Sequence, residues 1–387
     1  MSLKVFGITG TNGKTTVSYI LRNILKTAGK KSGLIGTISH QIGENEYESI
    51  NTTPGEKLLL EYFSQMIESN TDCCVMEVSS HGLAQGRVDK INIDYAGFTN
   101  LTQDHLDYHH TMEEYYEAKK KLFLMSKQVN IINVDDPYGK RLFEELEKSG
   151  AARGVAVSIE DKSAGFFGEI EESAVTGSKI NFYENGNIIG NFTIKTPGRF
   201  SIYNAMLAAG LARCGGIGFD DVKSGIETLR GVPGRFEVIQ GKNDVTAIVD
   251  YAHTPDALEN ILKTASEIQN KGRLLCVFGC GGNRDKDKRK KMGLIAGSYS
   301  DYVIITNDNP RSEDPEDIAA EIEEGVYDTG CDYHIILDRY QAIKRAASLC
   351  RKGDIIIIAG KGHESYQIIG NEKRPFNDKE TVMLFLT

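Results

Sequence analysis

Gly10-Thr-Asn-Gly-Lys-Thr-Thr16 follows an apolar, strand-like run at residues 5–9 and opens a helix-patterned run at residues 17–27. Strand, glycine-rich turn and helix start in that order form a phosphate cradle. Backbone N–H groups and the positive end of the helix dipole face an anion, Lys14 adds a mobile charge, and the Thr15 hydroxyl suits Mg²⁺. The generic P-loop places a glycine five residues ahead of its Gly-Lys pair; here Ile8 occupies that position. The stretch predicts an α/β domain that binds ATP through Gly10, Thr11, Asn12, Gly13, Lys14, Thr15 and Thr16.

At 387 residues the chain is long enough for two or three domains with separate cores. Its 40 glycines against 8 prolines suit the many tight strand-to-helix turns of an α/β protein. A net charge of −9 argues against nucleic acid or a membrane surface as partner. Small-molecule substrates are the expected partners and a monomer the expected state. No run approaches the roughly 18 apolar residues of a membrane span, and the N-terminus lacks the apolar core of a signal peptide. Cysteines at 73, 74, 214, 276, 280, 331 and 350 form no Cys-x-x-Cys pair and read as buried thiols in a reducing compartment. A cytoplasmic location is expected.

Strand patterns at 4–9, 73–78, 95–99 and 129–134, with helices between them, predict a mainly parallel sheet. Over 168–195 the period changes to two, around Glu184-Asn-Gly-Asn187, which predicts a small antiparallel section. Residues 204–213 and 219–230 read as helices, and Gly231-Val-Pro-Gly-Arg235 as a linker. A second series follows, with strands near 245–250, 273–278, 302–306, 334–337 and 354–359. The expected fold is α/β: a P-loop central domain over 1–234, then a Rossmann-like α/β C-terminal domain over 235–387.

Open α/β sheets place ligands at the C-terminal ends of their strands. The strand at 73–78 runs into Glu77-Val-Ser-Ser-His81. That at 95–99 runs into Asn100-Leu-Thr-Gln-Asp104-His105-Leu-Asp107-Tyr-His109. A neutral imidazole beside carboxylates can complete a metal site, and with the P-loop these segments describe an Mg–nucleotide site.

Together with Asn51-Thr-Thr-Pro54, Arg87, Tyr116-Glu-Ala-Lys119, Asp250-Tyr-Ala-His-Thr-Pro-Asp256, residues 279–286, Asp308-Asn-Pro-Arg311 and Gly360-Lys-Gly-His-Glu-Ser-Tyr-Gln367, these motifs span nearly the whole chain. The chain resembles the Mur ligases, the ATP-dependent amide-bond-forming enzymes of peptidoglycan precursor assembly. Within them it is most similar to those that add the third amino acid to UDP-N-acetylmuramoyl-L-alanyl-D-glutamate. The P-loop of that family has the glycine spacing seen here, which accounts for Ile8.

The resemblance implies that a substrate carboxylate attacks the γ-phosphate of ATP, giving an acyl phosphate, which the amine of an amino acid then attacks. It implies catalytic roles for Lys14, Glu77, His105 and Lys119. Thr15 and Glu77 would hold one Mg²⁺, and Glu77 and His105 would help hold a second. Lys119 would carry a CO₂-derived carbamate as a further ligand. On residue pattern alone, Lys119-Lys-Lys121 on an amphipathic helix reads as a solvated face; the resemblance reverses that for Lys119 and leaves Lys120 and Lys121 as solvated lysines. Asn204, Arg235, Asp250 and His253 are implied around the nucleotide, although Asp250 also suits an Asx-type turn. Thr52, Thr53, Ser79, Ser80, His81 and Arg87 match positions that handle the sugar–peptide part of the acceptor.

Asp308, Asn309 and Arg311, with Arg284, Gly360 and Glu364, match the pattern of enzymes selecting meso-diaminopimelate. Its distal carboxylate suits a bidentate guanidinium and its distal ammonium a carboxylate. Alternatively, Arg311 could cap its loop by pairing with Glu313 or Asp314. Three-domain members of the family begin with a UDP-binding domain, whereas here the P-loop strand starts at Leu3. A trimmed chain or a two-domain ligase resembling the folylpolyglutamate synthases, acting on a nucleotide-free acceptor, is therefore expected. A non-catalytic nucleotide-binding subunit and a P-loop phosphotransferase are the readings from other classes.

Overall fold

The computed structural model describes residues 3–150, 152–174, 176–268 and 272–386. It divides into two compact units, Met1–Thr102 with His109–Arg230, and Gln103–Tyr108 with Gly231–Thr387. Among the described residues no helix is long and apolar enough to cross a membrane.

In the first unit the strand Lys4–Thr9 is buried at every residue but Lys4. Successive side chains of a strand point to opposite faces. Phe6 and Ile8 enter a core made with the helices Lys14–Thr27, Arg199–Cys214 and Phe219–Thr228. Val5 enters the opposite core, with Glu56–Glu68, Met112–Met125 and Pro137–Ser149. A strand covered on both faces needs an apolar run rather than alternation, which is what residues 5–9 supply.

Lys4–Thr9 pairs in parallel with Cys73–Glu77 and Tyr95–Phe98. Ser32–Ile35 continues the parallel section on one side, and Val129–Asn133 and Arg153–Ser158 on the other. The C-terminal ends of these six parallel strands thereby lie along the edge of the sheet that carries the P-loop. At one side Ser32–Ile35, Ser39–Ile42 and Asn45–Glu48 form a short antiparallel meander that the sequence pattern did not mark. At the other, Phe166–Ala174 joins Arg153–Ser158 in parallel, and Gly177–Glu184 and Asn187–Ile194 follow it antiparallel to one another in the same sheet. The hairpin expected at Glu184-Asn-Gly-Asn187 turns through Asn185 (φ 49°) and Gly186 (φ 78°), the two positive values of a type I′ turn.

The second unit holds a sheet in the order Glu237–Gln240, Thr246–Asp250, Ile355–Ala359, Leu274–Phe278, Tyr302–Ile305, Tyr333–Ile335, all parallel except the first. A separate hairpin, Tyr366–Ile369 with Glu372–Pro375, follows. The strand order sets the loops after residues 250, 359, 278 and 305 next to one another, although the segments lie far apart in sequence. Arg339, fully buried, fastens this end of the sheet. It forms a two-pronged pair with the fully buried Asp378 (2.7 and 2.8 Å) and donates to the carbonyls of Asn307 (3.2 Å) and Ala359 (2.9 Å).

Two stability predictions follow from buried charge. His40 is only 2% exposed, its Nδ1 has no hydrogen-bond partner among the described residues, and burial lowers its pKa to about 4. The unfolded chain titrates near 6.5, so stability is complete above that pH and falls as pH drops toward 4. Urea unfolding at pH 7 and pH 5 should differ by about 2 kcal/mol from this residue, a difference that His40→Leu should remove. Asp378→Ala should cost about 3–5 kcal/mol by leaving the Arg339 guanidinium buried without its carboxylate, while Arg339→Met with Asp378→Leu should recover most of that loss.

Candidate functional site

At the end of the central strand, Gly10 has φ 148°, and a Cβ there would lie 1.7 Å from Thr99 Oγ1. Gly13 has φ 87°, and its Cβ would lie 2.3 Å from Asn204 Oδ1. Both positions require glycine, and Asn204 is seated directly against the turn. The loop is fixed by Thr11 N donating to Asn100 O and Asn12 N to Asn100 Oδ1, each at 2.9 Å. Gly13 then starts the helix Lys14–Thr27 with no side-chain cap, as Gly55, Gly198 and Gly218 do for other helices of this unit, while Ser79, Thr111 and Asp136 cap theirs. The helix start thus presents backbone rather than a capping oxygen, the arrangement that suits a phosphate.

Two lysines converge on this turn. Lys14 Nζ donates to Gly10 O and Thr11 O, both at 2.8 Å, and Lys119 Nζ donates to Gly10 O at 2.8 Å. Lys119 is 1% exposed. Its ammonium lies 4.4 Å from the centre of the Tyr115 ring, one helical turn before it, and the Tyr115 hydroxyl lies 3.2 Å from Thr11 Oγ1. The neighbouring lysines differ. Lys121 is exposed, but Lys120 is not the solvated residue expected, because the helix Met112–Met125 is clamped to Pro137–Ser149 through it. Lys120 pairs with Glu145 at 2.8 Å and with Glu117 at 3.2 Å, and Glu145 also accepts from the Tyr116 hydroxyl.

Glu77, fully buried at the end of the adjacent strand, accepts from Thr15 Oγ1 (3.0 Å), Thr37 Oγ1 (2.8 Å) and Thr37 N (2.9 Å). Thr37 was not singled out in the sequence; the signal available was its place just after an apolar strand, in Gly36-Thr37. Thr37 Oγ1 also meets Thr52 Oγ1 at 3.0 Å. Thr53 is buried, donating to Glu77 O and accepting from Ser79 N, each at 2.9 Å. Arg87 donates to Thr53 O at 2.7 Å, His81 packs against His109, and the buried Ser80 Oγ has no partner among the described residues. Among those residues no group of three or more His, Cys, Asp or Glu side chains could hold a metal. Thr15 and Glu77 nonetheless offer adjoining hard oxygen donors beside a phosphate cradle, a set that fits a nucleotide-bound Mg²⁺.

The second unit gathers the remaining candidates. His105 (φ 55°) lies 3.3 Å from Asp104, which also meets Lys288 at 3.5 Å and His253 at 3.7 Å. Burial pushes the Asp104 carboxyl up, but these neighbours hold it well below the usual carboxylate range. Asp250, at its strand end, accepts from Phe236 N (2.6 Å) and Ala252 N (2.7 Å), the second being the Asx-type turn. Burial raises its pKa against the opposing pull of Arg235. The Arg235 guanidinium stacks 4.4 Å from the centre of the Tyr251 ring, and His253 Nδ1 lies 2.7 Å from Tyr251 O.

Arg311 (φ 54°) donates to Gly282 O at 2.8 Å. Glu313 is engaged by Arg289 (3.0 Å) and Lys286 (3.3 Å), and Asp314 caps the helix Pro315–Tyr327, so these two carboxylates have other partners than Arg311. Burial and the neighbouring Arg284 lower the Arg311 pKa, while Asp308 and Glu364 oppose that shift. Arg284 itself is exposed. Gly360 has φ 112°, and a Cβ there would sit 2.6 Å from Asp308 Oδ2. Asn309 Nδ2 donates to Glu364 Oε2 at 2.9 Å.

The profile of the Mur ligase middle domain matches residues 8–212, and that of the Mur ligase glutamate ligase domain matches 234–362. The UDP-N-acetylmuramoyl-L-alanyl-D-glutamate–2,6-diaminopimelate ligase of Alkaliphilus oremlandii is 45% identical over 99% of this chain and 78% of its own length. The protein of the same name from Bacillus cereus is 45% identical over 100% and 78%. A solved structure of a ligase of this name superposes with a TM-score of 0.67 at 34% identity, covering 99% of this chain and 78% of that one. The fold is shared with folylpolyglutamate synthase from Mycobacterium tuberculosis, TM-score 0.74 at 19% identity over 93% and 88% of the two chains. On this evidence the chain belongs to the Mur ligase family.

Proposed function

We propose that this chain is an ADP-forming, ATP-dependent ligase that joins meso-diaminopimelate to the D-glutamyl carboxylate of a UDP-N-acetylmuramoyl-dipeptide-like acceptor in peptidoglycan precursor synthesis. The observation that carries the reading is Lys119, buried against the Gly10 carbonyl of the turn whose following helix begins with Lys14 and Thr15, the latter bonded to Glu77. A lysine is rarely fully buried, and its place against the phosphate turn supports a role in the site. Residues 1–234 would serve ATP and acceptor, and residues 235–387 the incoming amino acid, in a cytoplasmic monomer.

Little covalent chemistry falls to the protein in such a reaction, so its work is positioning and charge neutralisation. The backbone of residues 10–16 cradles the phosphates, and Lys14 leaves its loop carbonyls to meet the γ-phosphate as the acceptor carboxylate attacks it. Asn204, Arg235, Asp250 and His253 would border the nucleotide. Thr52, Thr53, Ser79, Ser80, His81 and Arg87 would seat the acceptor, bringing its carboxylate to the phosphate. The amine of diaminopimelate then attacks the acyl carbon and phosphate leaves. Two Mg²⁺ ions, when bound by Thr15, Glu77, His105 and a Lys119 carbamate, would offset the charge that builds on the phosphoryl oxygens. A carbamate forms only on an unprotonated amine and converts a cation into an oxygen ligand. At the amino-acid end Arg311, with Arg284 nearby, would take the distal carboxylate. Glu364, Asp308, Asn309 and the Gly360 carbonyl would border the distal ammonium.

The defining assay is phosphate release from ATP that requires both an acceptor and diaminopimelate. Hydroxylamine should trap a hydroxamate, the mark of an acyl phosphate. Turnover confined to a nucleotide-free acceptor would instead favour a ligase of another pathway, and phosphate transfer to a hydroxyl would overturn the ligase reading. Lys119→Ala should lower kcat by about a thousandfold or more, with no rescue by bicarbonate; a fully active variant removes the carbamate from the mechanism. Arg311→Ala should raise the KM for diaminopimelate by a factor equivalent to about 2–4 kcal/mol while leaving that for ATP in place. An unchanged KM for diaminopimelate would falsify the assignment of that substrate.

A further inference from the structure

Lys361 lies within a motif singled out in the sequence, yet none of the roles above uses it. Its side chain is fully buried, an uncommon place for a lysine. The ammonium donates to Glu364 Oε2 at 2.7 Å and to Asn309 Oδ1 at 3.2 Å, while Asn309 Nδ2 reaches the same Glu364 oxygen at 2.9 Å. Asn309 is itself held, its Oδ1 also accepting from Ile368 N at 2.8 Å. Two donors on one carboxylate oxygen fix its plane and leave Oε1 as the oxygen with capacity for another donor. Glu364 is 16% exposed at its side chain, against none for Lys361. The carboxylate is thus presented from a buried lysine behind it.

The charges here are unequal. Arg284, Arg311 and Lys361 stand with Asp308 and Glu364, and the fields of Arg284, Asp308 and Glu364 all act on Arg311. Among these five side chains the cations outnumber the carboxylates by one. A head that brings both a carboxylate and an ammonium is neutral and can pair with both signs. A head with an ammonium alone adds a further cation and brings no carboxylate of its own to Arg311.

Resting on the proposed function, we propose that Lys361 is a positioning and specificity residue: it orients Glu364 and cancels enough of its charge that the site rejects a side chain ending in a lone ammonium. The selectivity for a zwitterionic head then comes from repulsion set by Lys361 as well as from attraction to Arg311.

The test is steady-state phosphate release with meso-diaminopimelate and with L-lysine, at saturating ATP and acceptor, for the full chain and its Lys361→Met and Lys361→Arg variants. Lys361→Met should reduce the diaminopimelate-to-lysine ratio of kcat/KM by about tenfold or more, through the amino-acid KM. The KM for ATP should stay in place, and Lys361→Arg should keep most of the preference. Equal losses with both amino acids would mean that Lys361 only braces the loop, and an unchanged ratio would also overturn the proposal. If Lys361→Met does not fold, Lys361→Met with Glu364→Gln removes both charges and leaves the cation excess as it was. That pair should still prefer diaminopimelate to lysine, and equal use of the two would count against the charge argument. A wild-type chain inactive with both amino acids would overturn the proposed function itself, an outcome distinct from a changed or unchanged ratio in an active enzyme.

Discussion

One peptide oxygen, that of Gly10, accepts from both Lys14 and Lys119. A carbonyl has two lone pairs, so the geometry is allowed, but it holds two ammonium groups within two hydrogen-bond lengths of each other. At an effective dielectric constant of about 20, like charges at such separations repel by roughly 3 kcal/mol. That repulsion by itself favours anything that removes a positive charge or brings a negative one. A phosphate arriving on Lys14 would do the second, and the carbamate proposed on Lys119 would do both. The arrangement depends on Gly10 having no side chain beside Thr99, and on a central strand buried on both faces, which fixes where the carbonyl points.

Much of the first unit was legible because its signals are local. An apolar run, a glycine-rich turn and a helix start occupy consecutive residues, and Asn185-Gly186 needs only its own backbone preference to turn a hairpin. The short meander through Ser32–Ile35, Ser39–Ile42 and Asn45–Glu48 was not legible, because four-residue strands with polar outer members carry too few periods to register. Burial of Lys119 was likewise hidden. Three consecutive lysines say nothing of which one faces inward, and only packing of its helix against two neighbouring layers separates Lys119 from the clamped Lys120 and the exposed Lys121.

In the second unit the strands were readable but their order was not. Asp250, Asp308 and Gly360 approach one another because the last long strand, Ile355–Ala359, inserts between Thr246–Asp250 and Leu274–Phe278. That is a long-range choice that no window of sequence encodes. The Arg339–Asp378 pair escaped notice for the same reason: each residue reads as an exposed charge on an amphipathic helix, and only the closed fold shows them buried together. Lys361 was inside a recognised motif but had no assigned role, since its value lies in contacts with Asn309 and Glu364 that are set by the loops.

The backbone at Arg311 has φ 54°, in the left-handed region that glycine and asparagine enter readily and a long side chain does not. Holding arginine there costs the fold on the order of 1 kcal/mol. The backbone alone would thus be steadier with Asn or Gly at this position. On the role proposed for Arg311, binding of the amino-acid substrate would favour the guanidinium against that backbone cost, so stability and discrimination would pull position 311 in opposite directions.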